Sequence, residues 1–190
     1  MHTKNVHKLT ISALLIAIGI MIPIISPVKI ILEPASFTLG SHVAIFIALF
    51  ISPAIAVFVA LGTAFGFLIS GFPLVVALRA LTHVIFAIVG AFWVKNHPEI
   101  IGNPLKAQFF SFVIGVVHAV AEVAVVSFFY FGGNVTDTYY NQGFLQSVFL
   151  MVGIGTIIHS MVDFGIASII WKSLNARKSF TSSIMKVKND

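Results

Sequence analysis

Apolar residues run along this chain in long stretches, and polar residues gather in a few short breaks between them. The stretches are too long and too evenly apolar for strands. They suit helices that cross a bilayer, each needing about 20 residues. Six helices are expected, over residues 8–26, 37–51, 54–70, 74–94, 107–131 and 144–174. The breaks carry turn signals. They are a loop with Pro27, Lys29, Glu33 and Pro34, the pair Ser52-Pro53, the turn "SGFP" at 70–73, and two polar loops at 95–106 and 132–143. The opening run has the basic start and apolar body of a signal peptide. No small-x-small cleavage site follows it, so it reads as a retained first helix.

Composition hardens this picture. Of 190 residues, 58% are hydrophobic and 9% charged, against about 25% charged in a soluble domain. Mean hydropathy is +1.05. A soluble bundle is excluded, because nothing is left to cover so apolar a surface. The expected fold is an all-α integral membrane protein, one membrane-embedded domain over residues 1–190. The formal charge of +5 does not point to nucleic acid, because of where the cations lie. With six crossings, Lys4, Lys8, Lys95, Lys106, Lys172, Arg177, Lys178, Lys186 and Lys188 fall on one side, and Lys29 alone on the other. Basic loops stay inside. Both termini are then cytoplasmic, and 27–36, 70–73 and 132–143 face outward in a multi-pass protein of the bacterial plasma membrane. Cysteine is absent, which excludes disulfides, thiolate chemistry and cysteine metal sites.

Charge within a bilayer is expensive and marks function by default. Six ionisable residues form three pairs at a spacing of four: Arg79/His83, His118/Glu122 and His159/Asp163. That spacing puts both members on one helical face, so three helices turn polar stripes toward a shared interior. Arg79 lies nearest the outer end, and it grips carboxylates in a two-pronged manner. The competing reading is structural: Glu122 neutralises Arg79, and the two His–acid pairs lock helices together. The outer loop adds Asn134, Tyr139, Tyr140 and Asn141, able to cover a small polar ligand or merely to belt the interface. "GTAFG" in helix three, with Gly62 and Gly66, reads as a close-packing face inside the protein.

Three kinds of function are compatible with these residues. A substrate-binding membrane protein for a small anion fits the outward pocket and its arginine. A metal transporter or intramembrane metalloenzyme would use "HAVAE" and "HSMVD", whose His and acid can ligate zinc. Against it, H-E-x-x-H is absent and Arg79 would repel a cation, so no metal is expected. A structural subunit would not need an outward buried arginine. There is no G-x-x-x-x-G-K-[ST], so no ATP is used by this chain through a P-loop, and six short helices are few for a self-sufficient transporter.

Helix one reads "LTISALLIAIGI", with Ala13 and Ala17 in an A-x-x-x-A spacing. With the length, topology and basic ends, this resembles the substrate-binding (S) component of energy-coupling factor (ECF) vitamin transporters. The resemblance implies that Ala13 and Ala17 pack against a transmembrane coupling subunit. It implies two partner ATPases that use ATP, no cofactor in this chain, and a vitamin site covered by the three outer loops. Arg79, His83, His118, Glu122, Asn134, Tyr139, Tyr140, Asn141 and His159 are the expected binding residues. Arg79 argues for an acid and against thiamine, and riboflavin wants a larger aromatic pocket. Among pantothenate, niacin, biotin and folate, "RALTH" and the polar groups look most like a pantothenate-type component, with niacin next.

Overall fold

The computed structural model describes residues 2–32 and 35–187, with side chains described over 6–29 and 37–176. Glu33, Pro34 and Lys188 lie outside the described residues. In chain order the elements are α1 (His2–Ile25), β1 (Lys29–Leu32), β2 (Ala35–Thr38), α2 (Val43–Ile51), α3 (Pro53–Ile69), α4 (Leu74–Asn96), α5 (Glu99–Gly102), α6 (Pro104–Phe131), α7 (Asp137–Phe144), a π-helical stretch (Leu145–Ile154) and α8 (Gly155–Val187).

The sequence explains most boundaries. Ser52 is extended (φ −171°, ψ 155°), its hydroxyl accepts from the Ile55 amide, and Pro53 opens α3. Proline at the first helical position forfeits no hydrogen bond, so Ser52-Pro53 divides α2 from α3. Asn103-Pro104 repeats the device: the Asn103 side chain accepts from the Leu105 and Lys106 amides, which starts α6 before the expected 107. The tail beyond Leu174 has no Gly or Pro to stop it, and α8 runs on to Val187.

Three expectations need correction. The fold is not purely α: the expected 27–36 loop is an antiparallel hairpin, with Lys29 opposite Thr38 and Leu32 opposite Ala35. Helix two begins at Val43, not 37, because Phe37 and Thr38 belong to β2 and Gly40 sits at φ +85°, a conformation that interrupts a right-handed helix. The remaining nine residues of α2 rise only about 14 Å, under half the roughly 30 Å apolar core of a bilayer. Among the described residues four helices are long and apolar enough to cross a membrane, with α3 a shorter apolar helix. Lastly, the sixth helix is not one uniform rod. The expected 132–143 loop winds into α7, the chain kinks at Gly143, and π winding holds until Ile154.

α2 is the centre of the molecule. Val43, Ala44, Ile45, Phe46, Ala48, Leu49 and Phe50 are all buried, and α2 packs on α1, α3, α4 and α8. Below its first turn Phe46, Phe86, Phe110 and Phe164 interlock, with ring centroids 5.4–5.6 Å apart. Such aromatic pairing adds about 0.5–1.5 kcal/mol per contact beyond burial. Phe58, Phe65, Phe109, Phe128 and Ile169 point outward and are exposed, as a lipid-facing surface requires. The "GTAFG" face packs inward, as expected: a Cβ on Gly62 or Gly66 would run into Ile16 or Ile20 of α1. Ala13 and Ala17 lie on the exposed part of α1, beside exposed Leu14 and Ile18.

Candidate functional site

The three polar stripes do converge, and a fourth element joins them. α2 starts inside the protein, and Asp163 of α8 receives that start. Its Oδ1 accepts from the Gly40 amide at 2.7 Å, and its Oδ2 from the His42 amide at 2.9 Å. His42 Nδ1 lies 3.0 Å from the same Oδ2, and Ser41 Oγ lies 3.5 Å away. A carboxylate at a helix N-terminus meets both free N–H groups and the positive end of the macrodipole. Irregular backbone at membrane depth survives only when protein satisfies it, and Asp163, fully buried, does that here.

Glu122 of α6 is the second carboxylate, 4% exposed. Its Oε2 accepts from Arg79 Nη2 at 2.9 Å and from Thr156 Oγ1 at 2.7 Å. Its Oε1 lies 3.5 Å from His118 Nε2 and 3.7 Å from His83 Nε2, both longer than an ordinary hydrogen bond. Thr156 sits in the first turn of α8, just past the π stretch, so that stretch sets where it meets Glu122. Arg79, its side chain 13% exposed, uses Nη2 on Glu122, while its buried Nε has no hydrogen-bond partner among the described residues. A guanidinium is a fork, and this one has a prong to spare.

Between these groups lies a cavity of about 270 Å³. Ligand pockets start at about 300 Å³, so the occupant is small. Its lining includes the polar residues Ser41, His42, Arg79, His83, Glu122, Thr156 and His159 and the aromatic residues Phe37, Phe67 and Phe72. Phe67 and Phe72 stack at 4.8 Å, and Phe37 meets the His159 ring at 5.4 Å. Lys29 of the hairpin also lines it.

Of the expected binding residues, Arg79, His83, Glu122 and His159 line the cavity. His118, 0% exposed, stands behind the wall against His42, His83 and Phe86. Asn134, Tyr139, Tyr140 and Asn141 are not in the lining. Asn134 closes its own turn on the Gly132 carbonyl. The Tyr140 hydroxyl donates to the Tyr130 carbonyl, Tyr139 is buried in a small apolar cluster, and Asn141 is exposed. The sequence reading passed over His42, Ser41, Thr156 and Lys29. His42 has no acid four residues away, but a signal existed: "GSH" sits just before a helix too short to reach a membrane surface.

A cavity that offers an arginine fork and an aromatic wall inside an apolar bundle suits the passage of a small acid. The niacin transporter NiaX of Lactococcus lactis subsp. cremoris (strain MG1363) is 44% identical over 163 residues, covering 86% of this chain and 72% of that protein. The chain belongs to the NiaX family of transporters. It is accordingly a multi-pass protein of the cell membrane. The likeness is to a niacin transporter and lends nothing to the pantothenate-type expectation. No family model matches the sequence, and no solved structure matches it.

Proposed function

We propose that this chain is the substrate-binding S component of an ECF-type importer, and that it binds nicotinic acid in the cavity between α2, α4, α6 and α8. The observation that carries the reading is the buried Arg79 fork, one prong on Glu122 and its Nε without a partner, in the wall of a small cavity with three phenylalanines. Nicotinic acid is a flat aromatic ring bearing one carboxylate. Arg79 takes the carboxylate by charge-assisted hydrogen bonds. Phe37, Phe67 and Phe72 bury the ring, and Ser41 and His159, 3.0 Å apart, offer polar groups to its nitrogen. Pantothenate is long, flexible and lacks a ring, so it makes little use of the aromatic wall. The name of the relative points to the same ligand.

The exposed face of α1 with Ala13 and Ala17 is the docking side for a transmembrane coupling subunit, since small residues let helix backbones approach closely. Two partner ATPases supply the energy. Ala17→Trp should abolish uptake in cells that hold the partners and leave nicotinate binding within about twofold; unimpaired uptake would refute the docking. The ligand assignment is tested by calorimetry on purified, vitamin-free protein with nicotinate, nicotinamide, benzoate and pantothenate. Nicotinate should bind tightest and pantothenate weakly. Nicotinamide, without the charge, should lose tenfold or more. Pantothenate binding tighter than nicotinate would overturn the assignment.

A further inference from the structure

His42, His83 and His118 make an arrangement that vitamin binding does not require. Their ring centroids are 4.7, 4.7 and 4.8 Å apart pairwise, and each offers one ring nitrogen within 4.8 Å of the others. All three are buried. Among the described residues neither ring nitrogen of His118 has a hydrogen-bond partner, and neither does His83 Nδ1. A fully buried imidazole with no hydrogen bond on either nitrogen, its Nε2 having only the Glu122 carboxylate at 3.5 Å, is an exception that asks for an ion or a water.

The surroundings match a metal site in a further way. His42 Nδ1 is held by Asp163 Oδ2 at 3.0 Å, which fixes the ring and leaves Nε2 for a ligand bond. A carboxylate behind the imidazole is the usual outer support of a metal-binding histidine. Asp163 itself is saturated by two amides, so it serves as that support and not as a ligand. The objection that Arg79 repels a metal weakens, because its charge is paired with Glu122 at 2.9 Å.

We infer that His42, His83 and His118 form a site for one divalent transition-metal ion of the zinc–nickel class, set in the cavity wall beside the vitamin. Three imidazoles with a fourth position open is a familiar zinc arrangement, with Zn–N bonds of about 2.0–2.1 Å. His42 and His83 line the cavity while His118 stands behind, so the open position faces the cavity. The inference does not depend on which acid the cavity takes.

The test uses full-length protein with any affinity tag removed, stripped with chelator and free of vitamin. Zn²⁺ alone is the probe, measured by equilibrium dialysis with elemental analysis. One equivalent per chain is expected, together with an X-ray absorption spectrum showing three imidazoles in the first shell. His118→Gln should weaken Zn²⁺ binding at least 100-fold, whereas His97→Ala, on the exposed α4–α5 loop, should not change it. Unchanged Zn²⁺ binding in His118→Gln, or far less than one equivalent in the wild type, would overturn the inference. Should His118→Gln not fold, the wild-type spectrum decides: fewer than three imidazoles refutes the site.

Discussion

Helices α6 and α8 carry the same motif, a histidine four residues before an acid, and put it to opposite uses. In α8 the acid is sealed in: Asp163 spends both oxygens on Gly40, His42 and Ser41, while His159 lines the cavity. In α6 the histidine is sealed in and the acid lines the cavity: Glu122 meets Arg79 and Thr156 through Oε2 and leaves Oε1 short of good partners. Spacing of four made each pair co-facial and decided nothing more. What faces the acid decides its role. A helix start faces Asp163 and turns it into a lock. A half-used guanidinium faces Glu122 and keeps it in the cavity wall.

The sharpest way to break this contrast is Asp163→Ala. It strands two backbone amides and the His42 ring in the interior. Removing one side of a buried charged pair costs about 3–5 kcal/mol, a fall in melting temperature on the order of 10 °C for a chain this size. Scanning calorimetry or fluorescence-detected melting in detergent reads it directly. A variant that melts like wild type and only loses ligand would mean that Asp163 belongs to the site and the lock idea is wrong.

Arg79→Ala probes the other half. Truncating one partner of a buried charge pair in a binding site costs about 2–5 kcal/mol, so nicotinate affinity should fall about 30-fold or more. Arg79→Lys should recover part of that, since a point charge cannot copy the fork. Equal affinity for nicotinate in wild type and Arg79→Ala would leave Arg79 as a helix tie only.

Glu122→Gln separates the acids more finely. In the proposed binding mode Glu122 competes with the vitamin carboxylate for one guanidinium, and its own charge repels that carboxylate. Removing the charge should tighten nicotinate binding several-fold while lowering the stability of the ligand-free protein. Weaker binding would show that Glu122 orients Arg79 more than it competes with it.

How far this contrast was readable beforehand depends on which force set each feature. The membrane class, the positions of the first, third, fourth and fifth expected helices and the co-facial pairs follow from apolar run length and a period of 3.6, which are local properties. Ser52-Pro53 and Asn103-Pro104 also spoke locally, through capping. His42 did not. Its role comes from a contact with Asp163 across 121 residues of chain, and nothing near it in the sequence names that partner. The hairpin was hidden in the same way, because "KIIL" and "ASFT" are too short for a period-two pattern to stand out from apolar helix. The choice between lock and site, for two identical motifs, lay wholly in tertiary packing.

The smallest effect concerns the segment after α6. Its polar residues made it a candidate cover for the ligand, but α7 folds them otherwise. Asn141 is exposed and outside the cavity lining, and Tyr140 is tied to the Tyr130 carbonyl at 3.0 Å. Asn141→Ala should therefore change nicotinate affinity less than twofold, within the usual range for a surface substitution. Tyr139→Ala differs, since Tyr139 is buried with Val126, Val148 and Val152. It should lower the melting temperature first and affinity only in step with it. The pair of measurements, one melting curve and one titration for each variant, distinguishes a surface helix from a lid. A tenfold loss of affinity in Asn141→Ala with unchanged melting would mean that α7 closes over the vitamin once it is bound. Asn141 would then take its place beside Arg79 on the site side of the comparison.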